Sequence, residues 1–167
     1  MQKDERGAWL EEAMVRWEQP LLRMCFAYLN DVALAEDAVQ ETFLKAWRGY
    51  DNFRQASNEK TWLMRIAINT CKDVQRSAWF RRVDRSTSLE TLPEQGAWDA
   101  TWDDTVTKAV MKLRPAIREI VLLHWYQGMT ADETAQVLDI SRSTVYHRLK
   151  RAQAILHREL EAWYHED

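Results

Sequence analysis

Residues 130–153 read TADETAQVLDISRSTVYHRLKRAQ, and the punctuation of this stretch decides the fold of the C-terminal part of the chain. Thr130 and Glu133 stand at the spacing of a capping box, which opens a short helix. Asp139 falls at the following turn, where Asp tolerates a left-handed backbone. Ser141 then offers an N-cap to a longer second helix. Along that helix Val145, Leu149, Ala152, Leu156 and Leu160 recur at spacings of three or four and form a buried stripe. Ala135 is small where the two helices would cross, and Val145, ten residues later, anchors the second. A short capped helix, a tight turn and a second capped helix make a helix-turn-helix.

With that stripe inward, Ser143, Tyr146, His147 and Lys150 point outward, flanked by Arg142, Arg148 and Arg151. Ser141 to Arg151 carries four cations and no carboxylate, although the 167-residue chain has a net charge of −3. A small bundle with a basic exterior would satisfy the pattern. So would a helix in the DNA major groove, with side chains at base edges and cations on phosphates. The second reading is the expected one, because caps, turn length, crossing residues and the acid-free face agree.

Upstream, RPAIREIVLLHWYQG (114–128) reads as a helix with Pro115 in its first turn and Gly128 at its stop. Before it, residues 81–101 have no sustained period and hold Pro93 and Gly96, a linker composition. Residues 86–105 carry five acids and no base. The expected organisation is residues 1–82, an acidic flexible linker at 83–104, and residues 105–167.

Only 4 Gly and 3 Pro occur, so turn-rich strand architectures are poorly supplied, while 46% apolar residues can fill cores. The fold class expected is all-α, with two small helical domains. In LAEDAVQETFLKAWRGY (34–50), Val39, Phe43 and Trp47 form an apolar stripe. Asp37, Glu41, Leu44 or Lys45, and Arg48 lie on another face, and Gly49 ends the helix. In TWLMRIAINTCKDVQRSAWF (61–80), Leu63, Ile66, Ala67, Thr70, Cys71 and Val74 make a core face. Arg65, Asn69, Lys72 and Arg76 line the opposite side without an acid. Trp47 and Trp62 fall at core-like positions.

Several classes are excluded. The N-terminal stretch is charged and lacks the apolar core of a signal peptide. No apolar run nears the roughly 20 residues that span a bilayer. Cys25 and Cys71 sit in apolar-periodic segments and are expected as buried thiols, which places the chain in a reducing cytoplasm. The glycines are isolated, so no phosphate-cradling loop is possible. The four His and two Cys show no zinc spacing. No catalytic residue, metal or cofactor is expected, and the chain does not read as an enzyme.

The stretch AEDAVQETFLKAWRGYDNFR, continued by TWLMRIAINTCKD, an acidic linker and the helix-turn-helix, resembles an extracytoplasmic-function (ECF) RNA polymerase sigma factor. This is the compact sigma-70 type with regions two and four only. The resemblance implies a transcription initiation factor that binds core RNA polymerase, recognises the minus-thirty-five and minus-ten elements and assists promoter melting. It implies that Asp37, Gln40, Glu41, Lys45 and Arg48 dock on core polymerase, a face that the residues alone would leave merely solvated. It also implies that Arg65, Asn69, Lys72 and Arg76 approach the minus-ten element. The loop at 51–60 would capture a flipped base of the opened non-template strand, with Phe53 or Asn58 contributing. Where family members often place an aromatic, this chain has Asn58, Glu59 and Lys60. Arg142, Ser143, Tyr146, His147, Arg148, Lys150 and Arg151 would meet the double-stranded minus-thirty-five element. A further partner implied is an anti-sigma factor, able to hold the chain at the membrane without insertion of the chain itself. The competing reading is a stand-alone helix-turn-helix regulator that dimerises through its first half. That reading needs an apolar self-complementary face, and the first half offers charged faces instead.

Overall fold

The order of elements follows from where the chain supplies caps and where it supplies apolar stripes. A computed structural model describes residues 2–53, 58–84 and 104–164, and among these every element is helical. The chain divides into two compact units, Met1–Glu94 and Gln95–Asp167. The acidic linker composition falls mainly on residues outside those described.

In the first unit, α1 (Gln2–Leu29), α2 (Val32–Arg48) and α4 (Glu59–Asp84) pack pairwise against one another, with the single turn α3 (Tyr50–Phe53) beside α2. α1 runs 28 residues with Pro20 inside it. Proline cannot donate to the carbonyl four residues back, but the next two turns bury Leu21, Met24, Cys25 and Tyr28, which offsets that loss. Asn30, with φ 54°, breaks the helix in a left-handed conformation, and Asp31 then caps α2 by accepting from Leu34 N–H at 2.9 Å. On α2, Ala35, Ala38 and Ala46 are fully buried, small enough for close helix approach, beside Val39 and Phe43. α4 supplies Leu63, Met64, Ala67, Ile68 and Cys71 to the same core. The expected core face of α4 holds, with Met64 and Ile68 added to it and Ile66 and Val74 only half-buried. Both cysteines are free buried thiols, as expected.

Gly49 does end α2, but not through a left-handed cap: its φ is −92°. A Cβ there would come within 3.3 Å of both the Lys45 carbonyl oxygen and the Trp62 ring. A side chain at this position would need the Trp62 ring to give by a few tenths of an ångström.

The second unit is built around α8 (Arg142–Tyr164), against which α5 (Asp104–Met111), α6 (Pro115–Val121) and α7 (Ala131–Leu138) pack. Ile120, Ala131, Val145 and Leu149 form a core cluster, joined by Ala135, Leu138 and Ile140. The expected stripe of α8 is buried at Val145, Leu149 and Ala152 and half-buried at Leu156 and Leu160. The helix expected to run to Gly128 instead widens into a π-helical turn at Leu122–Tyr126. There Gln127 N–H reaches the Leu122 carbonyl at 3.0 Å, five residues back, and His124 Nδ1 donates to the Met129 carbonyl at 2.7 Å. Gly128, at φ +66°, then makes the left-handed stop that a side chain would strain. Arg118 donates through Nη2 to the carbonyls of Met111 and Leu113, closing the chain around the end of α5.

Candidate nucleic-acid interface and docking faces

The helix-turn-helix is assembled by reciprocal caps. Thr130 Oγ1 accepts from Glu133 N–H at 3.1 Å while Glu133 Oε2 accepts from Thr130 N–H at 3.0 Å, a complete capping box on α7. Asp139 closes α7 in the left-handed region, φ 55° and ψ 47°, and Ile140 N–H bonds back to the Ala135 carbonyl at 3.1 Å. Ser141 Oγ accepts from Thr144 N–H at 3.2 Å and starts α8.

On α8 this places Arg142, Ser143, Tyr146, His147, Lys150 and Arg151 in solvent and leaves Arg148 half-buried. Tyr146 is 48% exposed, a large aromatic standing on an otherwise polar face. Ser143 Oγ lies 3.1 Å from Ser141 Oγ, so its hydroxyl is tied to the cap. Arg142 Nε lies 3.4 Å from Asp132 Oδ1, and its Nη2 donates to the Tyr146 phenol oxygen at 3.4 Å. The Arg142 guanidinium is pushed above its usual range, first by that hydrogen bond and then by the Asp132 carboxylate. Asp132 carries no signal in the helix-turn-helix spacing; its proximity arises only from the crossing of α7 and α8.

In the first unit, the stripe on α4 holds Arg65, Asn69 and Arg76 exposed and Lys72 half-buried. At 3.6 residues per turn the four fall within roughly 60° of arc. Phe53 lies in an aromatic cluster at the α3–α4 end of the unit. Its ring stacks on Trp62 at 5.0 Å and lies 5.5 Å from Trp9, which in turn is 5.0 Å from Tyr50. Asn58 is the N-cap of α4, with Oδ1 accepting from Lys60 N–H at 2.9 Å. Both residues nominated for base capture thus have structural employment, and residues 54–57 between them lie outside those described. Trp47 and Trp62 are half-buried rather than central to the core. α1 holds the cluster: Arg6 pairs with Asp51 at 2.8 Å and lies over the rings of Trp47 and Tyr50, each at 5.6 Å. Further along α1, Arg16 pairs with Glu59 at 2.8 Å.

On α2, Asp37, Gln40, Glu41 and Arg48 stand in solvent. Lys45 does not stand with them. It is half-buried, with Nζ 3.1 Å from Thr70 Oγ1 and 3.7 Å from Asp73 Oδ2 on α4. Leu44, 44% exposed, occupies the centre of that face instead. Among the described residues no cluster of His, Cys, Asp and Glu could hold a metal ion, and no helix is long and apolar enough to cross a membrane.

One helical unit ends in a helix-turn-helix whose second helix carries an exposed, acid-free stretch, and the other presents a mixed-charge helix face. Residues 14–81 match the family model for Sigma-70 region 2, and residues 103–162 match that for Sigma-70 region 4. The ECF RNA polymerase sigma factor SigL of Mycobacterium tuberculosis is 32% identical over 93% of this chain and 88% of its own length. CnrH, solved in complex with the cytosolic domain of CnrY, superposes with a TM-score of 0.69 at 26% identity, covering 92% of this chain and 88% of that one. RpoE of Bartonella quintana, solved with the anti-sigma factor NepR, shares the fold at a TM-score of 0.74 and 24% identity, over 90% and 96% of the two chains. The chain belongs to the sigma-70 family as an ECF sigma factor, a promoter-recognising transcription initiation factor. A stand-alone dimeric regulator is not favoured.

Proposed function

We propose a division of labour among three helix faces of this sigma factor. Arg142, Tyr146, His147, Lys150 and Arg151 on α8 meet the minus-thirty-five duplex, with Ser143 and Arg148 at its margin. Arg65, Asn69, Lys72 and Arg76 on α4 follow the minus-ten strand, with Phe53 and Asn58 bracketing the loop that receives an unstacked base. Asp37, Gln40, Glu41 and Arg48 on α2, with Lys45 at the edge, dock on core RNA polymerase. The carrying observation is the coexistence of an acid-free exposed recognition face on α8 with a mixed-charge exposed face on α2. Phosphates repel Asp37 and Glu41, so the α2 face suits protein, whereas the α8 face suits DNA. Each of these contacts is weak alone, and polymerase supplies the remainder of the affinity.

The protein performs no covalent chemistry of its own and works in the cytoplasm. An anti-sigma factor masks its faces, by likeness to RpoE solved with the anti-sigma factor NepR and to CnrH solved with the cytosolic domain of CnrY, and that partner tethers the chain near the membrane. Domain limits of 1–82 and 105–167 follow the same reading. In vitro transcription with bacterial core polymerase on genomic promoter fragments tests it. A defined start site that depends on the chain is expected, and tight core-free binding to a palindrome with no start site would overturn it.

A further inference from the structure

Arg142 is the first residue of α8 and Tyr146 stands one turn later on the same face. The guanidinium is bracketed on two sides. Its Nε faces Asp132 Oδ1 of α7 at 3.4 Å, and its Nη2 donates to the Tyr146 phenol oxygen at 3.4 Å, with Cζ 5.6 Å from the ring centroid. A guanidinium only donates, whereas a phenol both donates and accepts. Once Arg142 donates to the phenol oxygen, the hydroxyl is biased towards donating its own hydrogen outward from the exposed ring.

We propose that Asp132 is a positioning residue that sets promoter specificity through Arg142, holding the Tyr146 hydroxyl as a donor that reads a base acceptor in the major groove. This rests on the reading of α8 as the minus-thirty-five helix. Purine N7, guanine O6 and thymine O4 are acceptors in that groove, and cytosine N4 is a donor. With Arg142 occupying its acceptor side, the phenol favours an acceptor edge over the cytosine amine at one position. Arg142 is correspondingly not a phosphate contact. A phosphate approaching it would also approach the Asp132 carboxylate, whose side chain is 65% exposed. Asp132 thus removes one cation from the general attraction for DNA and turns it to sequence discrimination. Because the ion pair is exposed, its leverage is modest, about two- to fivefold in discrimination.

The test uses the full chain with core RNA polymerase on a promoter library randomised across its minus-thirty-five element, read by enrichment and by affinity over a salt series. The wild-type chain is expected to reject cytosine at one position, and Tyr146→Phe to abolish that rejection. Asp132→Asn and Arg142→Lys should each relax it about two- to fivefold, while Asp132→Glu restores it. Arg142→Ala should relax it without changing the slope of log affinity on log salt. A slope lowered by about 0.9 in Arg142→Ala, with cytosine rejection intact, would make Arg142 an ordinary phosphate contact and overturn the proposal. So would an Asp132→Asn variant with unchanged discrimination. If the wild-type chain enriches no minus-thirty-five sequence while the minus-ten element is still selected, the reading of α8 itself falls, and the proposal with it.

Discussion

The two helices assigned to DNA, α4 and α8, carry similar charge but are held in opposite ways. α8 packs at the centre of the second unit, and its entry is set by local caps at Thr130, Asp139 and Ser141. α4 lies in a three-helix bundle; its first residue, Glu59, is held by Arg16 of α1, and the preceding turn α3 by Arg6 of α1 through Asp51, both contacts from residues more than forty positions earlier in the chain. A duplex groove accepts a protruding helix that is rigid in itself. An opened strand needs a surface whose pocket-forming parts are fixed relative to one another, and such fixing takes long-range contacts.

The comparison breaks most sharply through the cores. Leu63 is fully buried between α4 and its neighbours, and Leu63→Ala should cost about 2–5 kcal/mol of first-unit stability. In urea unfolding of the full chain, the transition of the first unit should move to lower denaturant. The transition of the second unit should stay where it is. A shift of both transitions together would show that the two helices are not separately held.

Next in size is the DNA face of α8. Lys150 and Arg151 are exposed, and the double change Lys150→Ala with Arg151→Ala removes two phosphate partners. The salt slope of minus-thirty-five binding should fall by about 1.8, and core polymerase binding should not move. An unchanged slope would remove both residues from the phosphate-contacting set. Smaller again is the cap. Thr130→Ala breaks the capping box and should lower second-unit stability by about 1 kcal/mol, read as a shifted unfolding midpoint, and α8 should lose part of its fixed orientation.

The same contrast explains what the chain reveals before it folds. The helix-turn-helix is legible because its devices are local: a capping box spans four residues, and the apolar stripe of α8 repeats along one helix. The bundle is legible in its stripes at Val39, Phe43, Leu63 and Ala67, but not in its joints. Helical spacing put Lys45 near the docking face, yet its position at the edge lets Thr70 and Asp73 draw it toward α4, and Leu44 takes the centre. Gly49 is punctuation in sequence and a close contact with Trp62 in space. Arg6, Trp9 and Arg118 carry no periodic signal at all, because their partners are distant in sequence or are backbone carbonyls. The pairing of Asp132 with Arg142 likewise depends on a crossing that no single-helix pattern encodes.

The finest probe separates the two arginines of α1. Arg16 and Glu59 form a plain ion pair with the arginine half exposed, and Arg16→Ala should cost only about 0.2–1 kcal/mol. Arg6 is less exposed, 25% on its side chain, and adds two aromatic faces to its bond with Asp51. Each cation–π contact contributes about 0.5–1 kcal/mol at such sites, so with two of them Arg6→Ala should exceed Arg16→Ala in stability cost by about 1–2 kcal/mol. A lysine keeps the charge but loses the planar group that covers Trp47 and Tyr50 while reaching Asp51, so Arg6→Lys should recover only part of the loss. Function sharpens the distinction. Arg6 sits on the cluster that holds Phe53, so its removal should slow promoter opening on a closed minus-ten duplex more than on a template with a pre-melted bubble. Arg16→Ala should treat the two templates alike. Equal behaviour of the two variants would mean that the aromatic cluster is only packing, and that α4 receives its strand without help from α1.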